Sequence, residues 1–158
     1  MTKRDDAPAG GPTLSIDADA IRVMTGSYEI GVQVQPEDVD VPGHVNNIVY
    51  LRWVQEVAIA HWRAVAPEEA QRQVFWVVLR HEIDYRRPAL PGDAVRARTW
   101  VGRMEAVRFE RHTEITRASD GTLLARARTL WCPLDASTGR PYRASAELRA
   151  LFATEEPG

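Results

Sequence analysis

The sequence predicts an α+β domain in which an antiparallel sheet of five to six strands is wrapped around one long helix. Three observations predict this architecture: an uninterrupted apolar run at residues 48–62, a series of segments after residue 74 in which apolar and polar side chains alternate, and short connections rich in turn residues. A chain of 158 residues is long enough to bury one sizeable core. We therefore expect a single domain.

The apolar run predicts the central helix. Its polar members are Arg52, Gln55, Glu56 and His61, and it contains neither glycine nor proline. A helix of this length spans about 22 Å, and a helix that is apolar on nearly every side needs other structure around it. The run is also rich in valine and isoleucine, which is typical of a buried pair of strands. The lack of a turn residue favours the helix.

Alternating apolar and polar side chains predict the strands. They cover residues 28–35, 75–86, 95–101, 107–115 and 123–131. Short connections predict that successive strands are antiparallel neighbours. Leu148, Leu151 and Phe152 predict a closing helix within residues 144–152.

The predicted domain covers residues 13–153, between a disordered tail at 1–12 and a short tail at 154–158. The first tail has few large apolar side chains, two prolines and a glycine pair, so burial cannot offset the entropy of ordering it.

Composition indicates which binding partners and which cellular compartment to expect. The formal net charge is -2, which predicts no general attraction to nucleic acid or to an anionic membrane surface. Most arginines follow Arg80, a pattern that fits either an anionic ligand or solvated strand faces. Cys132 is the one cysteine, so no internal disulfide can form, and its apolar surroundings predict a core position. No run approaches the roughly 20 apolar residues of a membrane span, and the first residues lack the apolar centre of a secretory signal. We expect a cytoplasmic protein.

The chemistry is predicted where the loop after the first strand enters the central helix. Asp40 lies four residues before His44 and seven before Asn47. Backbone N–H groups at a helix start lack intrahelical partners and stabilise a developing oxyanion, and a nearby carboxylate can act as nucleophile or general base. This set suits transfer of an acyl group to water.

Each of these residues also fits a structural role. Asp38 and Asp40 are typical of turns and caps, His44 of a hydrogen-bonded structural histidine, and Asn46 and Asn47 of helix caps. No further ligand cluster accompanies the two aspartates, so no metal site is predicted, and no GxSxG sequence indicates a serine hydrolase.

Two stretches resemble a known family. Residues 37–51, EDVDVPGHVNNIVYL, resemble the DxDxxGHVNNxxYL signature of the 4-hydroxybenzoyl-CoA thioesterase branch of the hotdog superfamily. Residues 83–93, IDYRRPALPGD, resemble that family's second strand and the following turn. The resemblance implies the hotdog fold, a helix wrapped by an antiparallel sheet, and it implies an acyl-CoA thioesterase without a cofactor.

The resemblance also implies roles for individual residues. Asp40 would be the catalytic carboxylate, Asp38 would not be required, and the backbone N–H around Asn47 would polarise the thioester carbonyl. The implied catalytic residues are Asp40, His44 and Asn47, and the implied substrate-binding residues are Gly43, Val45, Asn46, Arg86 and Arg87. The two arginines would hold the coenzyme A phosphates. The family implies a homodimer or homotetramer with active sites at the subunit interface.

Three alternatives stay open. The helix start also resembles the DxDVNxHVNN motif of acyl-ACP thioesterases, although Pro42 replaces that motif's first asparagine. A second alternative is an acyl-CoA-binding domain without catalysis, serving as a sensor or partner module. A third is a hotdog hydratase or dehydratase. In such an enzyme His61 would be a candidate functional residue, whereas otherwise it is expected to face the core.

Overall fold

The computed structural model of the protein describes residues 26–40 and 43–153. The predicted tails at 1–12 and 154–158 therefore lie outside the described residues, as does the first part of the predicted domain. The elements, in chain order, are β1 (Ser27–Gln33), a 3₁₀ turn (Pro36–Asp38), α1 (Asn47–Val65), α2 (Glu68–Gln73), β2 (Val74–Tyr85), β3 (Ala94–Met104), β4 (Phe109–Arg117), β5 (Leu123–Asp135) and α3 (Ala146–Leu151).

The apolar run forms α1, so the alternative of a buried strand pair is wrong. Asn46 starts the helix: its side-chain oxygen accepts a hydrogen bond from the Ile48 N–H at 2.9 Å. The helix ends at Val65, two residues before Pro67, because the residue that precedes a proline disfavours helical backbone angles. With 19 residues, α1 is about 28 Å long and crosses most of the domain.

The strands form one antiparallel sheet in the order β1-β3-β4-β5-β2. The prediction that successive strands are neighbours is right for β3, β4 and β5, but it is wrong for β2 and β3. The loop at residues 86–93 explains the difference, because it carries the chain across the sheet. At its beginning the N–H groups of Arg86 and Arg87 donate to the Leu124 carbonyl of β5, and at its end the Asp93 carbonyl accepts from Val34 beyond β1.

The sheet covers one face of α1 and does not close around it. That face buries seven residues: Val49, Tyr50, Trp53, Val54, Val57, Ala58 and His61. On other sides of the helix, 71% of Ile48 and 44% of Ile59 remain exposed. The described part of the chain therefore encloses the helix only in part.

The core has two parts, one along each half of α1. The first half packs with Tyr50 and Trp53 against β1, β3, β4 and β5. The second half packs against Phe109 and Trp131 and against the closing segment at the C-terminus. The prediction of a closing helix is confirmed by α3, which buries Leu148, and by Phe152 directly after it, only 1% exposed.

The strand arginines are mostly paired. Arg98 and Arg126 both contact Glu114, and Arg128 contacts Glu110 and Glu82, at distances of 2.9 to 3.5 Å. These side chains confirm the interpretation as solvated strand faces. Cys132 is buried, as predicted. Within the described part of the chain, no helix combines the length and hydropathy that a bilayer crossing needs.

Candidate active site

The loop before α1 folds back on itself. Val39 and Val45 form an antiparallel bridge, and the next pair inward, Asp40 and His44, is joined by a hydrogen bond of 2.8 Å from the Asp40 N–H to the His44 carbonyl. Gly43 has a φ of 90°, a left-handed conformation that glycine adopts without strain, and its N–H donates to the Asp40 carbonyl. The loop thus holds Asp40 and His44 opposite each other.

The two aspartates of the loop lie in different surroundings. Asp38 is 2% exposed: one carboxylate oxygen accepts from the guanidinium of Arg52 at 2.8 Å and the other from the Gln35 N–H at 2.9 Å. Asp40 is exposed, and its carboxylate has no hydrogen-bond partner among the described residues. Asp38 therefore has the structural, capping role, and the carboxylate of Asp40 remains free to react.

The helix start leaves one amide open. The side chain of Asn46 caps the Ile48 N–H, which confirms its prediction as a cap, and the Asn46 carbonyl accepts from the Val49 N–H. The first helical N–H, that of Asn47, has no acceptor among residues 26–40 and 43–153. This amide lies at the positive end of the α1 dipole, where a partial negative charge on a bound oxygen is stabilised.

The second motif is held against the first by three hydrogen bonds. The Val45 N–H donates to the Ala89 carbonyl at 3.1 Å, the Ala89 N–H donates to the Tyr50 hydroxyl at 2.7 Å, and the Tyr85 hydroxyl donates to the Asn47 carbonyl at 3.1 Å. The two tyrosine rings also meet edge to face at 5.3 Å. The two stretches that carry the family resemblance thus converge at one place.

Sequence reasoning missed Tyr50 and Tyr85. A signal was available for Tyr50, which sits in the apolar run with a hydroxyl that needs a partner when buried, but not for Tyr85, which lies between Asp84 and Arg86. Burial raises the pKa of both phenols, so both remain protonated at neutral pH and keep their hydrogen bonds.

A cleft of about 190 Å³ opens where the motifs meet. It is lined by His44, Val45, Asn47, Tyr50, Tyr85, Arg86, Arg87 and Pro88. The lining includes both predicted arginines, which are exposed and have no carboxylate partner in the described residues. Of the other predicted site residues, Gly43 and Asn46 shape the loop and the helix cap without lining the cleft. Asp40 does not line the cleft either, but its backbone N–H donates to the carbonyl of His44, and His44 lines the cleft.

His61 lies far from this cleft, on the buried face of α1. It is 2% exposed, stacks on Tyr28 with ring centroids 5.5 Å apart, and has Arg111 as its polar neighbour. Burial, aided by the positive charge of Arg111, lowers its pKa to about 3. A neutral histidine next to a cation and without a carboxylate partner does not suit the proton transfers of a hydratase.

The cleft wall contains an open helix-start amide and two guanidinium groups that have no carboxylate partner among the described residues, and the loop that carries His44 into this wall also carries the exposed Asp40. An open amide suits a polarised carbonyl, a carboxylate suits nucleophilic or general-base attack, and guanidinium groups suit phosphates. In the described ranges, no three His, Cys, Asp or Glu side chains come together as metal ligands.

The fold and the cleft define a class. A five-stranded antiparallel sheet packed on one long helix, with the reactive groups at the helix start, is the hotdog fold. A model of the thioesterase-like superfamily matches residues 34–152, which is most of the chain. The protein belongs to the thioesterase-like superfamily.

Individual relatives agree with this assignment. A palmitoyl-acyl carrier protein thioesterase from chloroplasts of Gossypium hirsutum is 26% identical over 83% of the chain, and the match covers 33% of that protein. The chain thus spans about a third of the length of this curated relative. A Thermus thermophilus thioesterase solved with coenzyme A and Zn is 26% identical, with a TM-score of 0.70 over 80% of this chain and 97% of the other. A 1,4-dihydroxy-2-naphthoyl-CoA thioesterase from Synechocystis shares the fold at 20% identity, with a TM-score of 0.69 over 80% of this chain and 95% of the other.

Proposed function

We propose that the protein hydrolyses acyl-CoA thioesters to a carboxylic acid and coenzyme A in the cleft at the start of α1. One observation carries this proposal: the two motifs meet around an open helix-start amide, and the exposed Asp40 is hydrogen-bonded through its backbone to His44 of the cleft wall. Membership of the thioesterase-like superfamily supports thioester hydrolysis as the reaction.

The proposed chemistry divides between the amide and the carboxylate. The Asn47 N–H donates a hydrogen bond to the thioester carbonyl oxygen and stabilises the negative charge that forms on it. Asp40 then acts in one of two ways. As a nucleophile it attacks the carbonyl carbon, the C–S bond breaks, the thiolate leaves, and water hydrolyses the resulting anhydride. As a general base it takes a proton from water while the oxygen of that water attacks, and the thiolate again leaves. His44 orients the water or the acyl group.

Coenzyme A is the proposed carrier. Arg86 and Arg87 stand at the cleft with no carboxylate partner in the described residues, and guanidinium pairs bind phosphate oxygens well. The structure of the Thermus thermophilus relative with coenzyme A supports this choice. The chloroplast relative is named for acyl carrier protein, so a carrier protein is the second candidate. Pro42, which departs from the acyl carrier protein motif, favours coenzyme A.

A homodimer or homotetramer is part of the proposal, with active sites at the interface. Among the described residues the strand β2 pairs only with β5, so within this part of the chain its other edge offers unpaired backbone groups, and it exposes Phe75, Val77 and Leu79. A long apolar edge strand is unstable in water unless another chain covers it. A second copy along this edge would also extend the walls of the cleft, to which Tyr85 at the end of β2 belongs. A reducing, cytoplasmic setting suits the single buried thiol.

The central experiment removes the carboxylate. We expect Asp40→Ala to lower kcat by about 100- to 10,000-fold, the usual contribution of such a group, while KM changes little. Release of free coenzyme A thiol from a panel of aliphatic and aromatic acyl-CoA esters measures the rate. Glu37→Ala is the matched control, because Glu37 is an exposed carboxylate three residues away that makes no cleft contact. An Asp40→Ala enzyme that works at the wild-type rate would rule out this mechanism.

The same assay separates the alternatives. An acyl-CoA-binding module would bind the thioester without releasing thiol in steady state. An acyl carrier protein enzyme would release thiol from acyl carrier protein at a much higher kcat/KM than from coenzyme A.

A second experiment tests the assembly. We expect Leu79→Lys to shift the protein from an oligomer to a monomer, because a charge cannot be buried along the β2 edge without a partner. Light scattering during size-exclusion chromatography measures the mass. Leu90→Lys serves as the control, because Leu90 is also an exposed leucine and lies in the loop after β2. A monomeric wild-type protein, or a variant of unchanged mass, would contradict this interface.

A further inference from the structure

The second half of α1 borders a partly open cavity of about 40 Å³ whose walls are almost entirely apolar. Its rings come from Trp62, Trp76, Phe109, Trp131 and Phe152. The one charged wall residue is Arg111 of β4, which is 5% exposed. A buried guanidinium in such surroundings needs an explanation, because burying a charge without an opposite charge is strongly unfavourable.

Side chains of the protein accept only some of the hydrogen bonds that this guanidinium can donate. Its Nη1 donates to the Nδ1 of His61 at 2.9 Å and to the hydroxyl of Thr99 at 3.1 Å. An arginine has five N–H donors and no acceptor, so the Nδ1 of His61 must be the unprotonated nitrogen. No carboxylate lies within ion-pair distance of Arg111 in residues 26–40 and 43–153. Burial lowers the Arg111 pKa to about 9, which leaves the group positively charged at neutral pH, next to a neutral His61.

The walls present almost no other polar surface. The indole N–H groups of Trp76 and Trp131 are fully buried and are not open to the cavity. A cavity lined, among the described residues, by one cation and by no side-chain acceptor favours a ligand that brings acceptor oxygens and negative charge to that cation.

Size restricts the ligand. One water needs roughly 10 to 15 Å³, so a cavity of this volume admits a group of two or three heavy atoms, such as a carboxylate, but not a ring. A groove of about 580 Å³ between α1 and β2 shares Ile59, Trp62, Trp76 and Trp131 with the cavity walls. A flexible, mostly apolar chain can therefore reach the cavity from the groove and end there.

The cavity and the proposed active site are close enough for one extended acyl group to reach both. Asn47 lines the cleft at the start of α1 and Ala58 lines the cavity, and the helical rise places them about 17 Å apart along the helix. The groove and the cleft both lie along the seam between α1 and β2. An extended acyl group whose thioester is at Asn47 would carry its far end toward Arg111.

We propose that Arg111 recognises a carboxylate at the far end of the acyl group, so that the preferred substrates are long acyl thioesters with an acidic terminus. This inference rests on the proposed thioester hydrolysis. The same chemistry would also suit a small free carboxylate or other anion, and the experiment separates these two sources.

The first arm measures binding without turnover. Sodium formate is titrated at constant ionic strength, held by sodium gluconate, whose anion is too large for the cavity. The tryptophans in the walls report binding through their fluorescence. We expect a saturable change in the wild type that is lost in Arg111→Leu and in Ala58→Val, which narrows the cavity without touching the guanidinium. Arg96→Leu, an exposed arginine on β3, is the matched control and should respond like the wild type.

The second arm measures specificity. Coenzyme A thioesters of fatty acids are compared with mono-thioesters of dicarboxylic acids of the same length. We expect the wild type to favour the acidic terminus by about ten- to a hundredfold in kcat/KM, the usual effect of a charged hydrogen bond. Arg111→Leu should abolish or reverse this preference, whereas Arg111→Lys should retain part of it.

The outcomes are distinct. A formate response without any preference for the acidic terminus would assign the cavity to a free anion and overturn the substrate role. Hydrolysis of plain acyl thioesters with neither effect would overturn the anion site while leaving the proposed function intact. A formate response that depends on Arg111, in a protein that hydrolyses no thioester, would keep the anion site and reject the hydrolase together with the substrate role.

Discussion

At its start α1 meets two loops through hydrogen bonds, whereas at its end it meets a cluster of aromatic rings. The start buries Tyr50 and Trp53 in the larger part of the core, but the geometry of the cleft beside it depends on hydrogen-bonded pairs such as Ala89 with Tyr50. The end depends on contacts such as Phe152 with His61, at a centroid distance of 5.3 Å. Hydrogen bonds hold atoms in a defined geometry and add little stability, while buried rings add more stability with less directional control. One helix thus has the candidate chemistry at one end and the aromatic cluster at the other, with buried core along both halves.

The largest expected effect is at the aromatic end. Phe152→Ala should lower the free energy of unfolding by about 3 to 5 kcal/mol, because the ring is almost fully buried and its removal leaves a cavity. Denaturation in guanidinium chloride measures the loss. Leu151→Ala, at a half-buried neighbour, should cost clearly less. Equal losses in the two variants would mean that Phe152 contributes no more to the stability than Leu151.

The same end should make stability depend on pH. The His61 pKa is lowered from 6.5 to about 3, so the unfolded chain binds the proton more readily than the folded one. The stability from a neutral His61 is complete above pH 6.5 and is lost as the pH falls from 6.5 to 3, by up to about 1.4 kcal/mol per pH unit.

His61→Gln tests this dependence, because glutamine can accept the Arg111 hydrogen bond but does not titrate. Unfolding free energies measured between pH 7 and pH 4 should fall less steeply in the variant than in the wild type. Parallel curves would show that His61 does not titrate on unfolding.

A smaller effect is expected at the helix start. Tyr50→Phe leaves the buried Ala89 N–H without its acceptor and should cost about 1 to 3 kcal/mol. Tyr85→Phe removes a hydrogen bond at an exposed position, which water can replace, and should cost less than about 1 kcal/mol. Thermal or chemical unfolding measures both. If Tyr85→Phe were the more destabilising variant, the cleft would depend on the exposed contact instead.

Much of this arrangement was predictable. The run at 48–62 predicted α1 because local periodicity and the lack of breaking residues are properties of neighbouring positions. The alternating segments predicted the strands for the same reason. The motif residues His44, Asn47, Arg86 and Arg87 were singled out from the sequence, and they line one cleft.

Other features depended on contacts between distant positions. The place of β2 beside β5 was not predictable from a short connection, because pairing is decided by which edges are open when the sheet forms. Asp38 and Asp40 carry the same side chain two residues apart, and only the approach of Arg52 from α1 makes one buried and paired while the other stays free.

The sequence by itself determined the long helix, the strands, the turn positions and the two motifs, since each follows from neighbouring residues. Folding was needed to show that Tyr50 and Tyr85 join the motifs, and that Arg111 of β4 is buried against α1 and Phe152 with no carboxylate partner in the part of the chain that the structure describes. Hydrogen bonds and buried charges depend on groups far apart in the chain, and their energies exist only once folding brings those groups together.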